Sequence, residues 1–440
     1  MPRITRYCLL ALSACLWASG VAGVVDTDRL LSHYEHLHRN PELSLQEQDT
    51  SAYLAEQLRA SGYEVTTAVG GHGLVAMLRN GAGPTILFRA DMDALPIAEQ
   101  TGLPYSSTVK AVNGAGKEVP VMHACGHDIH MTVLLGIARQ MMTDRTGWQG
   151  TLLLIAQPAE EIGAGARAML ADGLYDRFPV PDFNLAYHVS PDLPAGRIGY
   201  TSGYAMANVD SVDITVYGAG GHGAYPQKTR DPIVMAAQII LALQTIVSRE
   251  LSPLDSAVVS VGSIHGGTKH NIIPDEVGLQ LTVRSYTDRT RDFLLRRIRE
   301  ISRGVARTAG MPADKLPRVT VKDEYTPAVY NNPGLVSRLV PVLKSFLGKT
   351  SVSEVDPVMA GEDFARYGRT QARIPGALFW LGAVDAGRYR AARNSGETLP
   401  GLHSARFAPA ARPTIETGVQ AMTAMLLELF RNERVDEKEG

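Results

Sequence analysis

The sequence predicts an α/β protein in which a large domain is built on a mostly parallel sheet and a smaller α/β sandwich is inserted into it. Two observations support this fold class. The first is a set of short, continuously apolar runs, which are typical of strands buried on both faces of a parallel sheet: residues 85–90, 151–156 and 183–187. The second is a change after Pro191 from alternating strands and helices to a strand-helix-strand-strand-helix order. We therefore expect the large domain at 24–203 and 318–440, and the inserted domain at 204–317.

The length and composition are those of a soluble globular protein. The chain has 440 residues, which is enough for two domains and a large core. Hydrophobic residues make up 45% of it, charged residues make up 20%, and the formal net charge is −2. Acidic and basic side chains are interspersed, so neither a basic nucleic-acid-binding surface nor a polyanionic tail is indicated. We expect no nucleic-acid partner.

Residues 1–23 have the pattern of a secretory signal peptide. Two arginines precede a short apolar run, which is followed by small residues. The run is too short and too interrupted for a membrane span, so we expect a periplasmic or secreted protein. An alternative is lipoprotein processing, because Leu-Ser-Ala-Cys at 12–15 would leave a lipid anchor on Cys15. We favour the soluble form because the apolar segment before Cys15 is short.

The first part of the large domain begins with helical periodicity at 26–60. Asn40-Pro41 interrupts this pattern, which predicts two helices joined by a turn. A glycine-rich turn within 63–78 then predicts a strand hairpin. Further along, residues 131–142 have the spacing of an amphipathic helix.

Ionisable side chains follow each of the three apolar runs, in this order: Asp91 and Asp93, Glu160 and Glu161, and His188. Because the carboxyl ends of parallel strands meet at one edge of a sheet, we expect these side chains to converge. Adjacent glutamates allow one carboxylate to bind a metal ion while the other transfers protons. A solvated turn is the alternative for the two aspartates.

The segment 121–130, Val-Met-His-Ala-Cys-Gly-His-Asp-Ile-His, has the density of a metal site. Its glycine permits a tight turn, so that Cys125 and His127 can reach one centre. Asp128 could hold the second nitrogen of an imidazole. Removal of residues 1–23 would leave Cys125 alone among the three cysteines, and a metal would protect such a thiol in an oxidising compartment. A buried cysteine in a turn beside solvated histidines is the alternative.

The inserted domain has the order of a small α/β sandwich, with these elements: strand 209–217, helix 232–248, strands 257–265 and 276–285, and helix 291–309. The chain then returns to the large domain. There the pattern predicts helices at 333–347 and 414–431, a helix opened by 358–364, and a strand at 376–381.

Together these stretches resemble the amidohydrolase branch of the co-catalytic metallopeptidase clan, which includes hippurate hydrolase, indole-acetyl-amino-acid hydrolase, aminoacylase and bacterial glutamate carboxypeptidase. The likeness is carried, in the family's order, by seven segments: Phe-Arg-Ala-Asp-Met-Asp-Ala-Leu-Pro at 88–96, His-Ala-Cys-Gly-His-Asp-Ile-His at 123–130, Pro-Ala-Glu-Glu at 158–161, Gly-Gly-His-Gly at 220–223, Asn-Ile-Ile-Pro at 271–274, Met-Ala-Gly-Glu-Asp-Phe at 359–364 and Leu-His-Ser at 402–404. The resemblance implies that the large domain is catalytic and that the insert is a lid and dimerisation domain.

The resemblance also implies a site for two divalent metal ions, Zn²⁺ or Mn²⁺, with Co²⁺ or Ni²⁺ as alternatives. Cys125 would bridge the two ions. The terminal ligands would be His127 and His188 on one ion, and Glu161 and His403 on the other. Glu160 would stay free of metal and act as general base and acid. Asp93 matches a supporting acid of the family, and Asp91 is left out of the ligand set because some relatives have a His ligand there.

In the insert, His222 matches a histidine that donates a hydrogen bond to the oxyanion, often from the partner subunit of a dimer. We therefore expect a homodimer. Asn271 and Arg284 resemble the pair that binds the substrate α-carboxylate in the carboxypeptidase relatives. The sequence departs from the family at Gly223, Gly361 and 408–412, which leaves the proposed ligands intact but weakens any statement about the substrate.

The expected function is that of an exported, metal-dependent amidohydrolase or carboxypeptidase. Its substrate would be an N-acyl amino acid or a short peptide with a free carboxylate. Alternatives within this class are a dipeptidase and a deacetylase of acylated cell-wall amino acids. An alternative from another class is a non-catalytic periplasmic binding protein, against which Glu160 argues, because a binding protein has no need of a general base.

Overall fold

A computed structural model of the chain describes residues 25–323 and 325–431. The predicted signal peptide and the alternative lipid anchor at Cys15 lie outside these residues. The first part of the large domain contains the following elements: α1 (Thr27–Arg39), α2 (Gln48–Ala60), β1 (Glu64–Thr66), β2 (Leu74–Asn80), β3 (Thr85–Asp91), β4 (Lys110–Val112), β5 (Glu118–Pro120), α3 (His127–Thr143), β6 (Gly150–Gln157), α4 (Gly165–Ala171), α5 (Leu174–Arg177), β7 (Phe183–Pro194), β8 (Ile198–Tyr200) and β9 (Gly203–Met206).

The chain then builds the insert and returns. The insert contains β10 (Asn208–Tyr217), β11 (Gly221–His222), α6 (Pro232–Thr245), β12 (Ala257–His265), β13 (Ile272–Ile273), β14 (Glu276–Ser285), α7 (Asp288–Thr308) and β15 (Arg318–Val321). The last part of the large domain contains β16 (Val329–Asn331), α8 (Pro333–Leu347), β17 (Val352–Glu354), α9 (Ala365–Gly368), β18 (Gly376–Val384), α10 (Ala386–Ser395) and α11 (Ala411–Phe430).

The large domain is organised on an eight-stranded sheet with the order β1-β2-β6-β3-β7-β18-β8-β17. Its central strands β6, β3, β7 and β18 run parallel, while the β1-β2 hairpin and β8 add antiparallel pairs. Strand β6 is buried along its whole length, which explains its continuous apolar run. The predicted α/β class, with a mainly parallel sheet, is therefore confirmed.

Helices cover both faces of this sheet. On one face, Tyr34 of α1, Ile137 of α3 and Met422 of α11 belong to the larger hydrophobic cluster. On the other face, Met169 of α4 and Tyr367 of α9 belong to a second cluster. Burial of both faces makes the strand ends, rather than the sheet surface, the place where polar side chains collect.

The insert has its own antiparallel sheet, with the order β12-β14-β10-β15. Residues along β10 alternate between buried and half-buried positions, so one face of this sheet carries the core that it shares with α6 and α7. The sheet includes Arg318–Val321, which follows the expected end of the insert at residue 317.

One stretch, Pro232–Glu250, is long and apolar enough to cross a membrane by length and composition alone. It contains α6, whose Met235, Ile239 and Leu243 are buried against the small sheet. This packing accounts for part of the apolar composition, and a single such helix is weak evidence for a membrane span.

One element boundary differs from the expectation in a way that matters for the site. Helix α3 begins at His127 and not near 131, because Gly126 adopts a left-handed conformation, with φ of 79°, and starts the helix inside the histidine-rich motif. Helix α9 begins at Ala365, so the segment 358–364 opens a helix as expected, but that helix is short and the segment itself is not part of it. Glu362 of this segment binds Arg89 of β3 and also accepts from the backbone N–H of Phe364, so the segment remains a loop beside the site.

Candidate metal centre

The structure brings the five predicted metal ligands together at the carboxyl end of the central strands. Among the described residues, five groups of three side chains have ligand atoms that all lie within 4.8 Å of one another, and two of these groups contain Cys125. One group is Cys125, His127 and His188, and the other is Cys125, Glu161 and His403. In the first, the Cys125 Sγ lies 3.6 Å from the His188 Nε2. In the second, the His403 Nε2 lies 3.3 Å from a carboxylate oxygen of Glu161.

In each of the two buried histidines, a hydrogen bond at Nδ1 leaves Nε2 facing the ligand cluster. His127 uses Nδ1 to bind the backbone oxygen of Asp93, at 2.8 Å. His188 uses Nδ1 to bind the backbone oxygen of Val189, at 2.9 Å. Each ring therefore presents Nε2 to the cluster. The His127 Nε2 and one oxygen of Glu161 are buried without a hydrogen-bond partner, as expected of atoms that coordinate a metal ion.

The local electrostatics also favour a cation. Burial and the neighbouring Glu161 raise the pKa of the Cys125 thiol well above its usual value. Burial is also the main reason why the pKa of Glu161 is raised to about 7. Although burial lowers the pKa of His127, Asp91 and its fellow carboxylates raise it to about 10. A bound divalent ion would relieve this concentration of negative charge and stabilise the thiolate.

Strained backbone surrounds the ligands. A Cβ at position 126 would lie 2.6 Å from a Val189 methyl group, so this position requires glycine for space as well as for its conformation. His403 and Ala159, which precedes the two glutamates, have φ of 61° and 51°. Non-glycine residues rarely adopt this conformation, and such strain clusters at functional sites.

Asp93 supports the two glutamates and does not enter a ligand group. Its carboxylate accepts hydrogen bonds from the backbone N–H groups of Glu160 and Glu161, at 3.1 and 3.0 Å, and from the Ser44 hydroxyl, at 2.6 Å. Although burial acts in the opposite direction, hydrogen bonds from His127 and Ser44 keep the pKa of Asp93 below its usual value. Asp93 thus remains ionised and fixes the orientation of the paired glutamates.

Glu160, the predicted general base, lies beside the ligand groups. One of its carboxylate oxygens is 3.9 Å from the His127 Nε2, and its side chain is almost completely buried. Burial and the nearby Glu362 raise its pKa well above the usual value of a glutamate. A carboxyl group with a raised pKa can both accept and return a proton near neutral pH.

A buried arginine beneath the centre was missed by the sequence reasoning. Arg89 lies inside β3 with no exposed surface, and it binds Asp91 at 2.6 Å and Glu362 at 2.8 Å. It also contacts Asp363 at 3.2 Å and donates to Gln157 at 2.9 Å. The sequence indicates this network only by placing an arginine within an apolar run, because the partners of Arg89 in β6 and in the loop 358–364 are distant in the sequence.

Asp91 and His130, which form another of the five groups with His127, already have hydrogen-bond partners in the protein. The His130 Nδ1 donates to Asp91 at 2.6 Å, and the backbone N–H of Val189 donates to the His130 Nε2 at 2.9 Å. The second oxygen of Asp91 accepts from Arg89. These hydrogen bonds connect β3, α3 and β7 next to the ligand groups.

Asp128 binds an imidazole, but one from helix α1. The His38 Nδ1 donates to Asp128 at 2.6 Å, and the His38 Nε2 lies 3.1 Å from Glu99. Although burial opposes it, the hydrogen bonds to Asp128 and Glu99 raise the pKa of His38 to about 9. His38 is therefore an imidazolium at neutral pH and anchors α1 to the start of α3.

This buried imidazolium predicts a pH-dependent stability. Because the folded-state pKa of His38 lies above its ordinary value, its contribution is complete below about pH 6.5 and is lost as the pH rises towards 9. The difference in unfolding free energy between wild type and His38→Gln should shrink by about 3 kcal/mol between pH 6 and pH 9.5. Denaturant unfolding at both pH values measures it, and a difference independent of pH would contradict this role. The lowered pKa values of Asp128 and Glu99 act only at acid pH.

Glu47 is a second residue that the sequence reasoning missed. It is completely buried, and one carboxylate oxygen accepts from the backbone N–H of Ala159 at 2.7 Å. Its other oxygen is buried without a partner, and burial, together with Asp93, raises its pKa to about 7. This hydrogen bond holds the strained residue that precedes Glu160. Nothing in the polar segment around Glu47 indicated such a role.

Loss of that hydrogen bond should displace Glu160 without removing a ligand. We expect Glu47→Ala to lower kcat by about 10-fold to 100-fold, because a small displacement of a reacting group has effects of this size. Glu47→Gln is the matched variant, since its amide oxygen can still accept from Ala159, and it should keep most of the activity. Metal content should be unchanged in both variants. Equal kcat values for Glu47→Ala and wild type would show that Glu47 does not position the base.

The insert places two of its three predicted residues together. The β11-β13 ladder pairs His222 with Ile272, and the backbone N–H of Gly223 donates to the oxygen of Asn271 at 2.9 Å. His222 is exposed, and its Nδ1 accepts from the backbone N–H of Ala224 at 3.0 Å. Within the part of the chain that the structure describes, His222 has no recorded hydrogen bond or ion pair with the metal-ligand groups.

Arg284 lies on β14, and its guanidinium group contacts the large domain. Its Nη1 donates to the backbone oxygen of Met359 at 2.7 Å, and its Nε donates to the Thr282 hydroxyl at 3.2 Å. It is half-buried, and no hydrogen bond among the described residues joins it to Asn271. In this structure Arg284 therefore connects the insert to the loop that carries Glu362.

Comparisons with known proteins agree with this geometry. The family described as Peptidase family M20/M25/M40 matches residues 87–427. N-acetyldiaminopimelate deacetylase of Limosilactobacillus reuteri is 37% identical over 410 residues, which cover 92% of this chain and 99% of that protein. N-acetyl-L-cysteine deacetylase of Bacillus subtilis is 36% identical over 357 residues, which cover 80% of each chain. A Bacillus subtilis crystal structure, described as a dinuclear metal binding peptidase of family M20, superposes with a TM-score of 0.73 and 29% identity, covering 92% of this chain and 98% of that one.

Proposed function

Because the chain belongs to peptidase family M20/M25/M40 and is a metal-dependent hydrolase that acts on amides, we propose that it hydrolyses N-acyl amino acids with Glu160 as the general base. The observation that carries this proposal is the pair of ligand groups that share Cys125 beside the buried Glu160. The resemblance inferred from the seven sequence segments is confirmed by the family match. The alternative of a non-catalytic binding protein is set aside, because the matching family is described as a peptidase family and the relatives are named as deacetylases.

In this proposal each of the two ligand groups binds one divalent ion. Cys125, His127 and His188 would hold one ion, and Cys125, Glu161 and His403 the other. When bound, two such ions would lower the pKa of the attacking water molecule and polarise the amide carbonyl. A donor set of thiolate, imidazole and carboxylate suits Zn²⁺, while Mn²⁺, Co²⁺ and Ni²⁺ are the alternatives to be compared by metal replacement.

The protein groups then move the proton. Glu160 accepts it from the attacking water at its carboxylate and returns it to the nitrogen of the leaving amine. Asp93 and Glu47 hold the backbone on either side of Glu160, so that its carboxylate keeps one position through both transfers. In this proposal Asn271 and Arg284 bind the α-carboxylate of the amino acid once the insert has closed over the site.

The identity of the substrate is tested by the release of free amine. A panel of N-acetyl, longer N-acyl and benzoyl amino acids, with simple dipeptides, should separate an amidohydrolase from a dipeptidase. The names of the two relatives support the alternative, a deacetylase of acetylated amino acids, for which N-acetyl substrates should be the best of the panel. Turnover of dipeptides alone would contradict the amidohydrolase proposal.

We also propose that the protein is exported, since residues 1–23 have the pattern of a signal peptide. Fractionation of cells that express the full chain should place it in the periplasm or the medium. A protein found only in the cytoplasm would contradict export. Labelling with a radioactive fatty acid would reveal the alternative, a lipid anchor at Cys15.

A homodimer formed through the insert is supported by its surface. Leu241 on α6 is 72% exposed, and Val234 and Ile264 are also exposed. Strand β12 is an edge strand of the small sheet, so its outer backbone groups can pair with a second copy. Such a dimer could bring His222 of one subunit to the metal centre of the other.

Complementation between two inactive variants tests this arrangement. His222→Ala leaves the metal centre intact, and Glu160→Gln leaves His222 intact. If His222 acts in trans, mixed dimers should recover up to about a quarter of wild-type activity when subunits pair at random and each site acts alone. Size-exclusion chromatography with light scattering must show that mixed dimers form. No recovery in such dimers would place His222 in its own subunit's site or outside catalysis.

A further inference from the structure

Leu45 has a strained backbone conformation and an exposed apolar side chain, and neither feature stabilises the fold. It occupies the third position of a turn closed by a hydrogen bond of 2.9 Å from the backbone N–H of Gln46 to the oxygen of Leu43. Its φ is 68°, a left-handed conformation that a branched side chain rarely adopts. Its side chain is also 59% exposed, so no burial compensates for the strain. Strained residues of this kind are found at ligand-binding positions.

Ile162 is a second exposed apolar residue, at 47%, and it directly follows the predicted ligand Glu161. The two residues are connected through one atom. The Ser44 hydroxyl, in the residue before Leu45, and the backbone N–H of Glu161, in the residue before Ile162, bind the same oxygen of Asp93 at 2.6 and 3.0 Å. Leu45 and Ile162 therefore each follow a residue, Ser44 or Glu161, that is hydrogen-bonded to Asp93 beside the proposed general base.

We propose that Leu45 and Ile162 form an apolar subsite at the entrance of the metal centre, and that it binds the hydrocarbon part of the substrate's acyl group. This inference rests on the proposed hydrolysis of N-acyl amino acids. The proposed function already assigns the α-carboxylate of the substrate to Asn271 and Arg284 of the insert. The uncharged acyl chain is therefore the half of the substrate left for Leu45 and Ile162, which are exposed apolar residues of the large domain.

The subsite predicts a preference for acyl chains longer than acetyl. Each methylene group removed from water contributes about 0.8 kcal/mol, which is roughly fourfold in kcat/KM. Hexanoyl over acetyl on the same amino acid should therefore gain tenfold or more in wild type. In Leu45→Gly this ratio should fall by about tenfold, and glycine suits the backbone conformation at that position, so the variant should fold. Ile162→Ala should lower the same ratio.

Leu254→Ala is the matched control, because Leu254 is 93% exposed on a loop of the insert, and it should leave the ratio unchanged. An equal loss for acetyl and hexanoyl substrates in Leu45→Gly would overturn the subsite and indicate contact with the closing insert. An unchanged ratio in both variants would also overturn it.

A binding measurement separates this proposal from the proposed function. Calorimetry on the metal-loaded Glu160→Gln protein gives the Kd of the same N-acyl series without turnover. Affinity that rises with chain length, and no longer does so after Leu45→Gly is added, supports the subsite even if wild type hydrolyses none of these compounds. Affinity independent of chain length overturns the subsite even if wild type hydrolyses all of them.

Discussion

Replacement of Glu160 by glutamine is expected to lower kcat by about three orders of magnitude or more, while both metal ions and the fold are retained. The amide has the size of the carboxylate but cannot take the proton of the attacking water. Glu160 is buried between His127 on one side and the acidic Glu362 and Asp363 on the other. Burial and the nearby Glu362 raise its pKa, which allows the carboxyl group to return the proton. Steady-state kinetics on an N-acyl amino acid, with metal analysis of the same sample, measures the effect.

Glu161→Gln is the matched control, because it changes the adjacent carboxylate, which belongs to a ligand group. It should lower metal content, and added metal should restore part of the activity, whereas added metal should not rescue Glu160→Gln. Activity of Glu160→Gln within tenfold of wild type would remove Glu160 from the role of general base.

The central strands, and the ionisable side chains that follow them, could be predicted because local patterns encode them, whereas His403 entered only through the family resemblance. The apolar runs that became β3 and β6 have no polar interruption except Arg89, and parallel strands must deliver their following residues to one edge. The dense motif around Cys125 indicated a metal site, and the structure places Cys125 in both ligand groups.

The residues that support the site could not be predicted in the same way, because their partners are far apart in the sequence. Arg89 meets Glu362 across 273 positions, and Glu47 meets Ala159 across 112 positions. Each is a single polar residue that takes a structural role only because it is buried, and its burial can be read only from the packed structure. The start of α3 was missed for a related reason. His127 and Asp128 are buried polar residues, so they do not contribute to the apolar periodicity by which a helix is recognised.

The largest effect on stability is expected at Cys125. Because metal binding and folding are coupled, Cys125→Ser should lower metal affinity and the stability of the metal-loaded protein together. Loss of an outer hydrogen-bond partner of a ligand costs about 10-fold to 100-fold in affinity, so we expect loss of a bridging ligand to cost about 100-fold or more. At saturating metal for wild type, this corresponds to about 3 kcal/mol of unfolding free energy.

The comparison that isolates this effect is the difference between metal-loaded and metal-free protein for each variant. Any change in packing caused by serine contributes to both states and cancels, so the difference reports ligation alone. Cys125 is the free cysteine of the described residues and is buried, so a small thiol reagent, read by peptide mass spectrometry, provides a second measurement. The reagent should modify Cys125 in metal-free protein and spare it in the metal-loaded form. If modification is equal in the two forms and metal stabilises Cys125→Ser as much as wild type, Cys125 is not a ligand.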